Sequence, residues 1–336
     1  MSKIRFHILL MFMFFISFPA CSSDNEMEED ELGIHENSDS TSDDSDNPSN
    51  DDVASSNSNQ FKIEPYFPLT KGGGSLQGAA LFGDYLFHAT SNNSIHIYNM
   101  KEKKYITMLK LGTMGHADTM SFGVQRVDEN DEFPVLYVSG SQSNTAGKGG
   151  DIYVYRIVRT TSEIGAETWQ GTLIQHIITP DVSIVGSFPD VVIDSDNKIM
   201  WMMGWLTGFP YEHNDGNGCT NCFSKYEIPD IHEGIQDSKG VYQLMLSEDE
   251  RLSYFLVYDI HAITQGLCYY NGKIICPYGN SFKGIDVIDV SKEGLIYHVN
   301  LQGSWIGEPE AIVIYEDKLY LLGQGDYVYS CSGIDL

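Results

Sequence analysis

Polar side chains stand at one fixed offset before several tight turns of this 336-residue chain. Six residues before the turn they are Gln77, Asp190, Gln265 and Glu310. In a further repeat the turn is longer, and the equivalent position is His116, Asp118 or Ser121. Carboxylates and amides in such positions can transfer protons, hydrogen-bond a ligand or coordinate a hard cation. The alternative interpretation is that they only fix turns and strand ends through backbone hydrogen bonds.

Three members of this set are acidic, namely Asp118, Asp190 and Glu310. If the fold brings them together, their carboxylates repel one another. A raised pKa on one of them relieves that repulsion, and so does a divalent cation bound by carboxylate and amide oxygens. The sequence therefore raises the hypothesis of calcium or magnesium held by these three residues.

The turns belong to a unit of two apolar strands joined by a tight polar turn, which recurs five times. The copies span residues 78–90, 119–139, 191–203, 266–277 and 311–322. Alternating apolar and polar residues after the hairpins, as in 94–99, 151–156 and 285–290, indicate a third strand, and a fourth often follows. Four-stranded units at this spacing are typical of a β-propeller. We predict an all-β fold, a five-bladed β-propeller.

The fifth repeat ends after its third strand, at residues 327–331. The segment 61–69 has no hairpin of its own and is predicted to pair beside that strand. Such pairing closes the ring and removes an exposed sheet edge. A six-bladed propeller, with an extra blade built from residues 225–258, is the alternative.

In a propeller the first strand of each blade lines the central channel, so the aligned polar side chains are expected to converge at one channel mouth. Convergent polar groups in such a place predict a site. One hypothesis is a binding protein that recognises a glycan, peptide or protein partner on this face. The other is a hydrolase, lyase or cyclotransferase with two channel carboxylates as acid and base. Amides are as frequent as acids in the set and no nucleophile stands out, which favours binding.

The N-terminus has the layout of a secretory signal, with Lys3 and Arg5 before a short apolar run that ends at Cys21. A small residue directly before a Cys resembles the lipobox of bacterial lipoproteins. That resemblance implies a signal peptide over 1–20 and a lipid-modified Cys21. Ordinary cleavage, with Cys21 incidental, is the alternative. Residues 21–60 are rich in Ser, Asn and Asp and are predicted to form a disordered tether before a propeller domain over 61–336.

The chain carries a formal net charge of −27, and its folded part stays acidic by itself. Nucleic acid is therefore excluded as a partner, because binding phosphates needs Lys and Arg. The acidic cluster just after Cys21 resembles the surface-export signal of lipoproteins from the Bacteroides group, although it could also be a plain solvated spacer. We expect an outer-membrane lipoprotein, exposed at the cell surface, that contacts the membrane through its lipid only.

Several motifs carry a wider resemblance. In order along the chain they are Gln77-Gly78-Ala79, His116-Ala117, Ser121-Phe122-Gly123, Leu136-Tyr137-Val138-Ser139, Phe188-Pro189-Asp190 and Glu308-Pro309-Glu310. This series is similar to uncharacterised propeller lipoproteins of Bacteroides-type bacteria, which implies fold and location but no reaction. A shorter run, Thr264-Gln265-Gly266-Leu267 with Asn271-Gly272-Lys273 and Tyr278-Gly279, resembles one repeat of propeller-type glutaminyl cyclotransferases.

Two pairs of cysteines invite a disulfide assignment. Cys219 and Cys222 lie in a polar loop, and a disulfide between them is the favoured interpretation for an oxidising exterior. Free thiols are the alternative. Cys268 and Cys276 flank an Asn-Gly turn, but the register of a two-residue hairpin places Cys268 opposite Ile275, so we expect no bond there. The long insertion 201–222 also carries aromatic residues that either stack on sugar rings or pack between blades.

Overall fold

A computed structural model describes residues 61–70, 75–140, 143, 145–206, 219–260, 264–279, 283–301, 307–323, 327–334 and 336 of the chain. The side chains of 219 and 258–260 are not among the described parts. The chain divides into two units, Met1–Ser49 and Asn50–Leu336, and all described residues belong to the second. The predicted signal peptide, Cys21 and the tether lie outside the described residues.

Strands account for almost all regular structure in the described residues. They are β1 (Lys62–Pro68), β2 (Leu76–Phe82), β3 (Tyr85–Thr90), β4 (Ser94–Asn99), β5 (Lys104–Lys110), β6 (Met120–Phe122), β7 (Leu136–Ser139), β8 (Asp151–Thr161), β9 (Glu167–Ile178), β10 (Ser187–Asp194), β11 (Ile199–Leu206), β12 (Cys219–Glu227), β13 (Ile235–Gln236), β14 (Tyr242–Met245), β15 (Ser253–Ile260), β16 (Cys268–Tyr270), β17 (Lys273–Tyr278), β18 (Gly284–Asp289), β19 (Gly294–Asn300), β20 (Pro309–Tyr315), β21 (Lys318–Gly323) and β22 (Tyr327–Ser332). A single helical turn, α1 (Val182–Val185), and a 3-10 turn at Glu248–Glu250 are the described helices.

The strands form five sheets, one per blade. Their orders are β2-β3-β4-β5, β6-β7-β8-β9, β10-β11-β12-β15, β16-β17-β18-β19 and β20-β21-β22-β1, the second being extended by β14 and β13. The fold is therefore the predicted five-bladed β-propeller. In the last blade, Ile63 of β1 lies opposite Cys331 of β22, and Glu64 lies opposite Ser330. This pairing confirms the predicted closure of the ring by the N-terminal segment.

Tight turns set the register of the first hairpin in each blade. At the fourth blade, Asn271 and Gly272 both have positive φ, 48° and 76°, as a primed two-residue turn requires. At the fifth, Glu316 and Asp317 adopt φ of 48° and 58° without glycine. Because the turns fix register, equivalent residues before them occupy equivalent places in their blades.

The six-bladed alternative is wrong. The strands β12 and β15 overlap the two ends of residues 225–258, and they complete the third blade. Between them the chain leaves that blade, and β14 pairs in parallel with β9 of the second blade, with Tyr242 opposite Gln175. The amide of Gln175 donates to the carbonyl oxygens of Asp230 and Glu233, at 2.9 and 3.0 Å. The segment thus covers an outer sheet edge instead of forming a blade.

The core lies between neighbouring blades, where the sheets pack face to face. Between the first two blades, Phe87 contacts Phe122 and Phe133 edge-on, with ring centroids 5.0 and 5.6 Å apart. Comparable apolar clusters fill the other four interfaces. This packing holds the innermost strands β2, β6, β10, β16 and β20 around a central channel. Among the described residues, no helix has the length and apolar character needed to cross a membrane.

Candidate functional site

The chain segments that open the five innermost strands meet at one mouth of the channel. The amide of Gly78 donates to the carbonyl oxygen of Ala117 at 2.9 Å. A side chain at Gly78 would place its first carbon 2.5 Å from the carbonyl oxygen of Asp118, and one at Gly266 would lie 3.2 Å from the same oxygen. Only glycine permits this approach of three blades. The residues next to these glycines, Gln77 and Gln265, are brought to the same mouth.

His116 and Asp118 form an ion pair there, between Nδ1 of the ring and Oδ1 of the carboxylate. Ala117 between them has a left-handed φ of 60°. The hydrogen bond with Asp118 raises the pKa of His116 against the effect of partial burial, and the charges of Asp118, Glu310 and Asp190 act in the same direction. Of the three candidates in the second repeat, His116 and Asp118 therefore belong to the mouth. Ser121 lies on β6, where its Oγ accepts from the Ile193 amide at 3.0 Å.

Asp190 is a buried acid that lines the mouth, with 4% of its surface exposed. Burial raises the pKa of its carboxyl well above the ordinary value, and the charge of Asp118 raises it further. The nearby hydroxyls of Thr119 and Ser139 and the charge of His116 oppose that rise. The two neighbouring carboxyls thus differ in environment, because Asp118 is paired with an imidazole and Asp190 is buried.

A cavity of about 240 Å³ opens at this point, and we call it the channel-mouth pocket. It is lined by His116, Asp118, Phe188, Asp190, Trp205, Thr264 and Gln265. Four of the six predicted residues thus share one cavity. Gln77 and Glu310, 4% and 3% exposed, are buried at the mouth without lining it. A larger cavity of about 390 Å³ lies along the channel towards the hairpin turns and contains none of these six.

Two aromatic side chains, Phe188 and Trp205, form a wall of the pocket, with ring centroids 5.7 Å apart. The pairing of β10 with β11 shifts register between Ser187 and Asp190, and within this irregularity Phe188 adopts a φ of 52°. A bulky residue in the left-handed region is strained, and such strain concentrates at functional sites. Phe188 nevertheless stays 39% exposed. Its backbone thus directs an aromatic ring to the pocket rather than to the core.

The insertion 201–222 divides between the two predicted roles. Trp201 is buried and packs edge-on against Phe255, with centroids 5.8 Å apart, as expected of a residue between blades. Trp205 lines the pocket instead. Residues 207–218, which continue the insertion, lie outside the described residues. The sequence alone did not show that Trp205 and Phe188 line the pocket while Trp201 packs between blades.

The fourth blade contributes a second set of polar groups. The Nε2 of Gln265 donates to Oε1 of Glu308 at 2.7 Å. Thr264 is 4% exposed, and its Oγ1 has no hydrogen-bond partner among the described residues. Sequence reasoning missed Thr264 and Glu308 as members of the site, although both stand within motifs quoted above. A buried hydroxyl without a partner costs free energy unless a ligand or water satisfies it.

The described residues do not support the predicted calcium or magnesium site at Asp118, Asp190 and Glu310. No group of three or more His, Cys, Asp or Glu side chains in the described ranges has the geometry to hold a metal ion. The physical reason lies in the partners already described. Asp118 is engaged by His116, and burial favours the protonated form of Asp190. The raised pKa of Asp190 and the pairing of Asp118 with His116 both reduce the repulsion among the acids.

The cysteines of the described part are free thiols. Cys222 is buried in β12, with its Sγ 3.5 Å from the carbonyl oxygen of Ile184. The side chain of Cys219 lies outside the described residues. The predicted disulfide between Cys219 and Cys222 therefore stays a prediction, and the free thiol of Cys222 does not support it. In the fourth blade Cys268 lies opposite Ile275, as the hairpin register predicted, and is not bonded to Cys276.

Comparison with known proteins adds a likeness of fold. No protein-family model matches the sequence, and no curated protein matches it. Among solved structures, the chain is similar to Myxococcus xanthus glutaminyl cyclase, with a TM-score of 0.46, 10% identity and coverage of 81% of this chain and 95% of that one. It is also similar to virginiamycin B lyase from Staphylococcus aureus, with a TM-score of 0.38, 12% identity and coverage of 82% and 100%. At such values the likeness carries nothing about activity.

Proposed function

We propose that this chain is a lipid-anchored protein of the cell envelope whose propeller binds a small ligand, a glycan unit or the end of a peptide, in the channel-mouth pocket. One observation carries the proposal. Polar side chains that open strands of three blades, among them Asp118, Asp190 and Gln265, line one cavity. The same cavity is lined by two aromatic rings, those of Phe188 and Trp205. Ligand sites combine apolar walls with a few placed polar groups in this way.

The size of the pocket limits its ligand. Its volume of about 240 Å³ is below the roughly 300–1,000 Å³ of sites for drug-sized molecules. A single sugar ring or amino-acid residue is the part of a ligand that fits. The flat faces of Phe188 and Trp205 supply the apolar contact, and Gln265, Asp118 and His116 supply hydrogen bonds. A longer glycan or peptide, or a protein partner, would insert only its end.

Location rests on the N-terminal residues. A lipid on Cys21 and the acidic, Ser- and Asn-rich segment 21–60 would hold the propeller away from the membrane surface. The resemblance to Bacteroides-type propeller lipoproteins favours the outer membrane and exposure at the cell surface. A net charge of −27 fits neutral or cationic ligands and disfavours nucleic acid.

The binding proposal is tested with pocket variants. Wild-type protein is screened against monosaccharides, short oligosaccharides and dipeptides by the shift in melting temperature and by tryptophan fluorescence. For any ligand found, Phe188→Ala and Trp205→Ala are expected to weaken binding at least tenfold. Tyr254→Ala removes an exposed aromatic side chain outside the pocket and is the matched control. Equal affinity in all three variants would contradict the proposed site.

An enzyme is the second candidate, and the unequal environments of Asp118 and Asp190 favour it. A buried acid with a raised pKa beside a second carboxyl that is paired with an imidazole is an arrangement for general acid–base catalysis. The reaction would be that of a hydrolase, lyase or cyclotransferase. In that case Asp190→Asn is expected to abolish turnover even at ligand concentrations that saturate the variant. Wild-type protein that binds its ligand and releases it unchanged would exclude this candidate.

A further inference from the structure

The channel-mouth pocket has a strong charge imbalance. Asp118 and Asp190 line it, and His116 is the sole basic side chain among the seven described lining residues. The charge of Glu310 also reaches His116, and Glu308 contacts Gln265 of the pocket wall. His116 is already paired with Asp118. A ligand that enters the pocket therefore meets several acidic groups, and the described lining residues supply no positive side chain besides His116.

Asp190 is the acid for which a ligand cation matters most. It is 4% exposed, and no Lys or Arg stands among the lining residues of the described pocket. An ionised carboxylate in that position lacks water and needs a positive partner. A ligand cation would supply that partner, whereas an anionic ligand would add to the repulsion.

The aromatic wall adds a second preference of the same sign. The ring faces of Trp and Phe carry negative potential and attract an ammonium group within about 6 Å of the ring centroid. Phe188 and Trp205 lie side by side at the rim, 5.7 Å apart. The strained φ of 52° at Phe188 maintains that placement. Aromatic faces next to carboxylates suit a cation joined to an apolar or ring-shaped body.

The buried hydroxyl of Thr264 is an independent indication of a hydrogen-bonded ligand. Thr264 lines the pocket, and its buried Oγ1 has no hydrogen-bond partner within the described chain. A hydroxyl oxygen can accept one of the three hydrogens of an ammonium group, and carboxylate oxygens can accept the others. The pocket thus offers enough hydrogen-bond acceptors for the three hydrogens of a primary ammonium group.

Resting on the proposed function, we infer that the ligand of the channel-mouth pocket carries a primary ammonium group next to a ring or apolar side chain. The ammonium would lie among Asp190, Asp118 and Thr264, with its body against Phe188 and Trp205. Two sources offer that chemistry, an amino sugar and the amino end of a peptide. The volume of about 240 Å³ admits either one as a single unit.

Matched pairs of compounds, one with a free amine and one with that amine acetylated and therefore uncharged, test the inference. Glucosamine is compared with N-acetylglucosamine, and phenylalaninamide with N-acetylphenylalaninamide, by calorimetry and tryptophan fluorescence at neutral pH. We expect the free amine of at least one pair to bind at least tenfold more tightly than its acetylated partner. The pair that shows the difference identifies the source.

Variants place the amine in the pocket. Asp190→Asn and Thr264→Val are expected to reduce the preference for the free amine to less than threefold. The control Glu163→Gln makes the same carboxyl-to-amide change at an exposed turn and is expected to keep it. Circular dichroism melts establish that each variant is folded. If Asp190→Asn fails to fold, Thr264→Val and Trp205→Ala carry the test.

Failure of the inference differs from failure of the proposed function. If acetylated or neutral compounds bind as tightly as amines and Trp205→Ala weakens them, the pocket binds ligands but the ammonium inference is wrong. If no compound of either pair binds, the ammonium inference is likewise overturned. If ligands bind but neither Phe188→Ala nor Trp205→Ala affects them, the proposed site itself is wrong.

Discussion

His116 and Asp118 are paired across one residue of left-handed backbone, at the point where the second blade meets the channel mouth. The pair holds a half-exposed imidazole beside three acids, Asp118, Asp190 and Glu310. It also engages Oδ1 of the Asp118 carboxylate. The electrostatics of the whole mouth therefore depend on the protonation of this imidazole.

The first prediction concerns that imidazole. Because Asp118 raises the pKa of His116, the folded protein binds the proton more tightly than the unfolded chain, whose value is near 6.5. The stability that the pair contributes is then present below about pH 6.5 and is lost as pH rises through the folded pKa. NMR titration should give a pKa above 6.5 for His116 and a lower one in Asp118→Asn. An equal pKa in both proteins would contradict this.

The second prediction concerns Asp190. Its pKa is raised in the folded state, so its ionisation opposes folding, and stability falls as pH rises above about 3.8 towards the folded pKa. Asp190→Asn resembles the protonated acid and removes that loss. The melting temperature of Asp190→Asn relative to wild type should therefore increase between pH 4 and pH 8. A melting-temperature difference that stays constant between pH 4 and pH 8 would show that folding does not raise the pKa of Asp190.

The third prediction separates strain from function at Phe188. Replacing Phe188 by Gly removes a left-handed φ of 52° from a bulky residue, which relieves about 1 kcal/mol. Phe188 is 39% exposed, so its replacement loses less buried apolar surface than that of a core phenylalanine. We expect Phe188→Gly to be as stable as wild type within about 1 kcal/mol while losing ligand affinity. Denaturant unfolding and ligand titration check the two halves, and a loss of several kcal/mol would show that the ring is structural.

The fourth prediction concerns closure of the ring. Deletion of residues 61–69 removes β1 from the outer edge of the last blade and takes Phe67, which is 3% exposed, from the core. The truncated protein should aggregate and melt at a lower temperature. Deletion of residues 22–60 should leave the melting temperature unchanged. Phe67→Ala alone should cost about 3–5 kcal/mol of unfolding free energy. Equal stability of both truncations would refute this role of β1.

The fifth prediction concerns location. Cys21→Ala should release the protein from membranes in a soluble form, since lipid is its proposed attachment. Fractionation of cells and metabolic labelling with a fatty acid measure this directly. If the variant stays with the membrane and keeps its leader uncleaved, the lipoprotein proposal is wrong. Ser23→Ala, two residues away, is the control and should change neither property.

Sequence was sufficient for features that depend on local periodicity. The turns around Asn271 and Glu316 define hairpins, hairpins define blades, and equal offsets before the turns place Asp190 and Gln265 at one mouth. The same logic predicted that Cys268 lies opposite Ile275. These are consequences of a period of two residues and a fixed turn length.

Features that depend on non-local contacts could not be read in this way. The pairing of Tyr242 with Gln175 joins two blades in parallel, and no pattern in either segment indicates its partner. The left-handed φ of Phe188 follows from an irregularity in β10, and the orphan hydroxyl of Thr264 follows from its burial. The cation hypothesis did not anticipate that His116 and a buried acid would relieve the repulsion among the carboxylates.

The pairing of β1 with β22 has a consequence for how the protein folds. The last blade requires the first and the last described strands together, so the ring cannot close until the entire domain has been synthesised. Contacts of such sequence separation slow folding and leave earlier blades with exposed edges in the meantime. The export proposed above suits this order of events. A chain exported in an unfolded state would cross the membrane before its ends meet, and the ring would close afterwards.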